Sequence, residues 1–213
     1  MKINVLCNDK NSWFWSYEEQ FTQKLINNGH KVSIYSSEKD LLNGDLAIFI
    51  SCTKIISKDG LLKNSSNIVC HPSDLPKGKG FSPIAWEILE GLNEITFTLF
   101  EANEGIDDGD VYFKEKVFLK GDELNDDLRK IQANTTFNLI YKYVSQFPKN
   151  KSYPQNGNET YYIRRTTQDS ELDLNKTINE QFNLLRIVDN DLYPAFFIKN
   201  GKKYKIKIEK FND

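Results

Sequence analysis

Four short apolar runs rich in β-branched residues punctuate the first third of the chain, and they confine it to an α/β architecture. Lys2 to Cys7 suits a buried opening strand. An aromatic loop, Asn11-Ser12-Trp13-Phe14-Trp15, follows it. Ser16-Tyr17-Glu18-Glu19 then reads as a capping box, Phe21, Leu25 and Ile26 repeat at helical spacing, and Gly29 closes the helix. His30 to Tyr35, Leu46 to Ile50 and Asn67 to Cys70 continue as strands, with His71 just past the last one. Strand, helix, strand and then further strands describe an open, mostly parallel sheet.

The later segments are equally well marked. Ser82 is placed as an N-cap with Pro83 at the first helical position, and the helix runs through Ile84, Trp86, Ile88 and Leu89 to Gly91. Glu94 to Glu101 alternates Ile95, Phe97 and Leu99 inward against Thr96, Thr98 and Phe100. A polar loop, Asn103 to Asp110, leads into a strand from Val111 to Leu119, and Gly121-Asp122 opens a long amphipathic helix. Composition changes near Pro148-Lys149-Asn150-Lys151, which divides the chain into a core of residues 1–148 and an extension of residues 149–213. In the extension, Tyr161 to Arg165 is extended and Asn175 to Val188 is a helix with Ile178, Phe182 and Leu185 on one face. Phe196 to Ile198 and Tyr204 to Ile208 form a hairpin whose Asn200-Gly201 demands a type I′ turn.

Composition removes several classes of function. The 213 residues carry a formal net charge of −2, which leaves no electrostatic footprint for nucleic acid. No apolar run approaches the roughly 18 residues of a membrane helix. The N-terminus turns polar too soon for a secretory signal, and Cys7, Cys52 and Cys70 are too scattered for a disulfide framework, so the chain reads as cytoplasmic. Only two histidines exist, His30 and His71, which excludes a multi-histidine zinc site, and no metal is expected. Asn8 to Ser12, after the first strand, lacks the glycines of a dinucleotide loop.

His71-Pro72-Ser73-Asp74-Leu75-Pro76-Lys77-Gly78-Lys79-Gly80 is the most informative segment. A histidine leaves a strand end, where α/β sheets place ligands, and enters a basic, glycine-bearing loop before a helix. Two readings stand side by side: a tight solvated turn, or an anion cradle in which Lys77 and Lys79 neutralise a phosphate.

This loop resembles the His-x-Ser-Leu-Leu-Pro-x-x-x-Gly segment of folate-dependent formyltransferases. Ile106-Asp107-Asp108-Gly109-Asp110 is similar to the same family's Leu-Asp-x-Gly-Asp signature, at the family's interval from the histidine. Trp86 and Gly91 fall in the expected helix. The likeness is strong over roughly residues 65–120 and only architectural before them. Tyr193-Pro194-Ala195-Phe196-Phe197 resembles a Tyr-Pro-Gly-Ala-Phe region of the nucleotide-sugar N-formyltransferase group, which is related to the catalytic domain of methionyl-tRNA formyltransferase.

The resemblance implies a Rossmann-like formyltransferase core with a small C-terminal extension of helix and hairpin. It implies His71 as the proton acceptor and Asp107 as the group that orients it. N10-formyltetrahydrofolate is then the donor, along Phe100, Glu101, Glu104, Gly105 and Ile106, chiefly on backbone groups. The acceptor is a nucleotide-linked amino sugar, with Ser73, Lys77, Lys79, Arg164, Arg165 and Tyr193 as candidate contacts. For Arg164 and Arg165 the alternative is a solvated edge paired with Asp169 and Asp173. A hairpin of this kind builds a homodimer interface in the group.

One position departs from the family's Asn-x-His pattern, because Val69 stands where the asparagine belongs. Asn67 lies on the same strand face but roughly 13 Å from His71, so Ser51, Cys52 or protonated His71 itself are the candidates for its role. A glycinamide-ribonucleotide enzyme would carry a glycine- and serine-rich phosphate loop where Trp13-Phe14-Trp15 stands. A tRNA formyltransferase would need a larger, basic C-terminal domain. A non-catalytic binding module is the reading that the missing asparagine favours.

Overall fold

In the computed structural model, which describes residues 1–211, the apolar runs become strands β1 (Lys2–Leu6), β2 (Lys31–Tyr35), β3 (Gly44–Phe49) and β4 (Asn64–His71). Helix α1 (Glu18–Asn27) links β1 to β2, and a one-turn helix α2 (Lys58–Leu61) precedes β4. Strand β5 (Lys79–Gly80) and helix α3 (Pro83–Leu89) lead to β6 (Glu94–Glu101), β7 (Val111–Phe118) and the long helix α4 (Asn125–Gln146). The extension supplies β8 (Tyr161–Tyr162), α5 (Phe182–Ile187), β9 (Ala195–Lys199) and β10 (Lys202–Ile206).

Six strands form one sheet in the order β2-β1-β3-β4-β6-β7. The first four are parallel, and β6 and β7 run antiparallel to their neighbours. The fold is therefore the mixed, mostly parallel α/β type that the sequence indicates. On one face Ile3, Val5, Leu46, Ile48, Ile68, Phe97 and Leu99 pack with Phe21 and Leu25 of α1 and Phe137 and Ile140 of α4. On the other, Leu6, Ala47 and Phe49 pack with Leu41 and Ile56. Because both faces are covered, β6 is buried at Thr96, Thr98 and Phe100 as well as at its apolar positions, which replaces the expected alternation. Among the described residues no helix is long and apolar enough to cross a membrane.

Several boundaries differ from expectation, and local side-chain hydrogen bonds explain most of them. Ser16 ends a 3-10 turn (Trp13–Ser16) capped by Ser12, so α1 starts at Glu18 without the Ser16 box. Ser82 sits in the left-handed region, φ 52°, and its hydroxyl caps nothing; the α region is disfavoured before Pro83. Glu123 binds the Lys120 and Gly121 N–H groups, which delays α4 to Asn125. Before α5 a capping box forms between Thr177 and Glu180: each side chain meets the other's backbone N–H. Helical structure therefore begins only after Thr177, with a 3-10 turn before α5, and Ile178 is left 73% exposed instead of buried. The Asn200-Gly201 turn is as expected, with φ of 51° and 73°.

Candidate active site

His71 is the last residue of β4, at the carboxyl end of the parallel strands, and its side chain is almost fully buried. His30 precedes β2, at the opposite edge of the sheet. Across the ladder from His71, Thr98 donates from its hydroxyl to the Ser73 carbonyl at 2.7 Å and fixes the turn that follows the strand. His71 Nε2 lies 2.8 Å from the Gly78 carbonyl oxygen. A carbonyl can only accept, so Nε2 carries the hydrogen and the neutral ring holds its lone pair on Nδ1. Nδ1 faces Asp107 Oδ2 at 3.7 Å. That separation is too long for a hydrogen bond and short enough to stabilise an imidazolium. Gly78 thus orients the ring, a role expected of Asp107.

Asp107 holds a left-handed backbone, φ 47°, at a cost of about 1–3 kcal/mol that its surroundings must offset. Its carboxylate accepts from Gly80 N–H at 2.8 Å. Gln155 donates from one Nε2 to the Asp107 and Gly109 carbonyls, at 2.8 and 2.9 Å. Gly109 admits no side chain, because a Cβ there would lie 1.6 Å from the Glu101 carbonyl oxygen. Gly109→Ala is expected to shift this loop and lower unfolding stability by about 1–3 kcal/mol, read by urea denaturation.

The other candidate residues divide. Lys77 is exposed and free to meet an anion. Lys79 is not: its side chain is 1% exposed and its ammonium meets Asp108 at 2.7 Å and Glu159 at 2.8 Å. As placed it is held by carboxylates rather than presented to a diphosphate. Ser73 is wholly buried, its hydroxyl without a partner among the described residues. Arg164 is exposed and lies 4.7 Å over the Phe81 ring. Arg165 donates to the main-chain oxygen of Asp169 rather than to its carboxylate. Tyr193 lies between α5 and β9, where its N–H donates to the main-chain oxygen of Asp189.

The loop after β6 offers two kinds of surface. Phe100 is buried with Val69, Leu75 and Val111, an apolar wall. The Glu101 carboxylate turns inward to Ser66, Asn67 N–H and Tyr112; burial raises its pKa despite these donors. Glu104, Gly105 and Ile106 are exposed, and the N–H groups of Glu104 and Ile106 have no protein partner among the described residues. Free backbone groups beside an apolar wall suit a flat, amide-bearing heterocycle. Among the described residues, Asn67, Ser51 and Cys52 are each engaged elsewhere and do not take the place of the missing asparagine. Asn67 donates its carboxamide to the Leu61 carbonyl, Ser51 accepts from Ser12, and the Cys52 thiol faces the Leu6 carbonyl with a pKa pushed by burial to about 12.

Sequence reasoning missed the main-chain roles of Gly78 and Gly80 and the supports from Asp108, Gln155 and Glu159. The alternation of glycine and lysine hinted at the first two. Nothing in the polar stretch around Gln155 marked it.

A family model described as formyl transferase matches residues 18–142, a span that contains both His71 and Asp107. The methionyl-tRNA formyltransferase of Ehrlichia ruminantium is 28% identical over 167 residues, 78% of this chain and 54% of that protein. The chain spans about half the length of the curated relatives it matches. Among solved structures, a methionyl-tRNA formyltransferase from Clostridium thermocellum superposes with a TM-score of 0.81 at 23% identity, covering 100% of this chain and 94% of that one. A 4-N formyltransferase from Francisella tularensis gives 0.72 at 21%, covering 100% and 98%. HypX from Aquifex aeolicus, in complex with tetrahydrofolic acid, gives 0.76 at 17%, covering 98% and 37%. At these identities the structures share a fold. With a family match over more than half its length, the chain belongs to the formyl transferase family.

Proposed function

We propose that the protein is a sugar N-formyltransferase, moving the formyl group of N10-formyltetrahydrofolate to the primary amine of a nucleotide-linked amino deoxy sugar. The observation that carries formyl transfer is the pairing of His71 with Asp107 at the carboxyl edge of the sheet, the ring fixed by Gly78 with its lone pair toward the carboxylate. The donor supplies the formyl carbon. Its ring system is assigned to the wall of Val69, Leu75, Phe100 and Val111 and to the free backbone of Glu104 and Ile106. His71 takes the proton of the attacking amine at Nδ1, and Asp107 stabilises the imidazolium. As the carbon–nitrogen bond of the donor breaks, His71 returns that proton to the folate nitrogen. Until it is returned, the Nδ1–H proton of the imidazolium is the hydrogen-bond donor proposed for the formyl oxygen, where the family's asparagine is replaced by Val69.

The sugar acceptor rests on the Tyr193 to Phe197 resemblance and on a net charge of −2, which does not favour a tRNA. Lys77 and Arg164 are the cations left for a diphosphate. A second copy of the chain, docked through β9 and β10, is the proposed partner, since Ile198 and Tyr204 are exposed on that hairpin. Two observations favour a second reading, methionyl-tRNA as acceptor: the curated relatives carry that name, and so does the Clostridium thermocellum structure that superposes over nearly its whole length. Purified protein with N10-formyltetrahydrofolate is expected to release tetrahydrofolate with one of a panel of dTDP- and UDP-linked amino sugars. Release with methionyl-tRNA alone would move the assignment to the second reading, and release with neither would overturn the proposal.

A further inference from the structure

Lys79 combines deep burial with contacts on both sides of the catalytic pair. Its side chain is 1% exposed, which an ammonium tolerates only when it is paired. Its partners are Asp108, next to Asp107 in sequence, and Glu159, beyond the family-matched residues. Both carboxylates remain about half exposed, so the pairing gains attraction without burying all three charges. The residues flanking Lys79 hold the reacting groups through the main chain: Gly78 O meets the His71 ring and Gly80 N–H meets the Asp107 carboxylate. The segment opposite is bonded along its length. Lys79 N–H donates to Thr160 O, Gly78 N–H to Thr160 Oγ1, and Phe81 N–H to Tyr162 O, while Tyr161 fixes Glu159 at 2.7 Å.

We infer that Lys79 is a positioning residue, which with Glu159 clamps the Gly78–Gly80 strand and the Asp107–Asp108 turn together and so sets the distance between His71 and Asp107. Residues 155–162 act as a strap over the site. This inference rests on the formyl-transfer reading for its kinetic consequence only. A diphosphate ligand at Lys79 would have to displace two carboxylates.

The test compares Lys79→Met, Lys79→Arg and Glu159→Gln in the full chain. Lys79→Met is expected to lower kcat about 100-fold with the sugar-nucleotide KM within about twofold, as misplacement of reacting groups predicts. Lys79→Arg should recover most of the loss, and Glu159→Gln should lose less in the same direction while remaining well folded. Imidazole nitrogen NMR supplies a readout independent of turnover, because only two histidines contribute and His30 is a remote reference. His71 should show the Nε2–H tautomer in the parent and a mixture in Lys79→Met. A raised KM with unchanged kcat would overturn the inference in favour of a diphosphate contact, and an unaltered His71 signal would overturn it outright. If the parent turns over no acceptor, the formyl-transfer reading fails by itself and the nitrogen signals alone decide the role of Lys79.

Discussion

Replacing His71 by alanine is expected to lower formyl transfer by about 10²–10⁴-fold while leaving the fold intact. The magnitude follows from the lack of a second imidazole at the site among the described residues. His30 lies at the other edge of the sheet. Burial pushes the thiols of Cys52 and Cys70 up to about 12, so neither ionises near neutrality. The folded state loses one hydrogen bond, to the Gly78 carbonyl, worth about 1 kcal/mol. Tetrahydrofolate release measured beside far-UV circular dichroism separates the two effects. Residual turnover within tenfold of the parent would mean that the proton leaves by another route and that His71 is not the base.

The parallel half of the sheet was legible because buried strands need continuous apolar runs, and the hairpin because Asn200-Gly201 fits only one turn. His71 and Asp107 were legible as a pair because two short signatures stand at a fixed interval. The electrostatics were not. From sequence, Lys79 and Lys77 are equivalent cations in one loop, yet burial places Lys79 between Asp108 and Glu159 and leaves Lys77 outside. Pairing across so many residues is set by the β5–β8 ladder, which two residues per strand cannot announce. Helix ends failed for a related reason. Ser16 and Glu19 have capping spacing, but Ser16 is taken into the Trp13–Ser16 turn, whereas Thr177 and Glu180, with the same spacing, do form their box.

Arg186 was another residue whose structural role the sequence did not disclose, and its removal is expected to have the largest effect on stability. It belongs to α5 and is 1% exposed. Its guanidinium donates to the Glu123 carboxylate at 2.9 Å, the Glu123 carbonyl at 3.1 Å, and the side chains of Asn93 and Asn183. It thereby joins the extension to the turns that precede β6 and α4. Arg186→Met keeps most of the volume but strands a nearly buried carboxylate, for an expected loss of about 3 kcal/mol in urea denaturation at neutral pH. Burial pushes the Glu123 pKa up, but the N–H groups of Lys120 and Gly121 and the Arg186 charge outweigh it, so the folded value is depressed. A depressed carboxyl contributes stability that is full above its unfolded pKa, about 4.3, and is lost as pH falls through the folded value. The difference between parent and Arg186→Met should therefore shrink in acid. Glu123→Gln in the Arg186→Met background should restore part of the loss at neutral pH, since no charge is then left unpaired. A variant as stable as the parent at neutral pH would mean that the extension is held by Leu185, Ile187 and Val188 alone, through apolar contact.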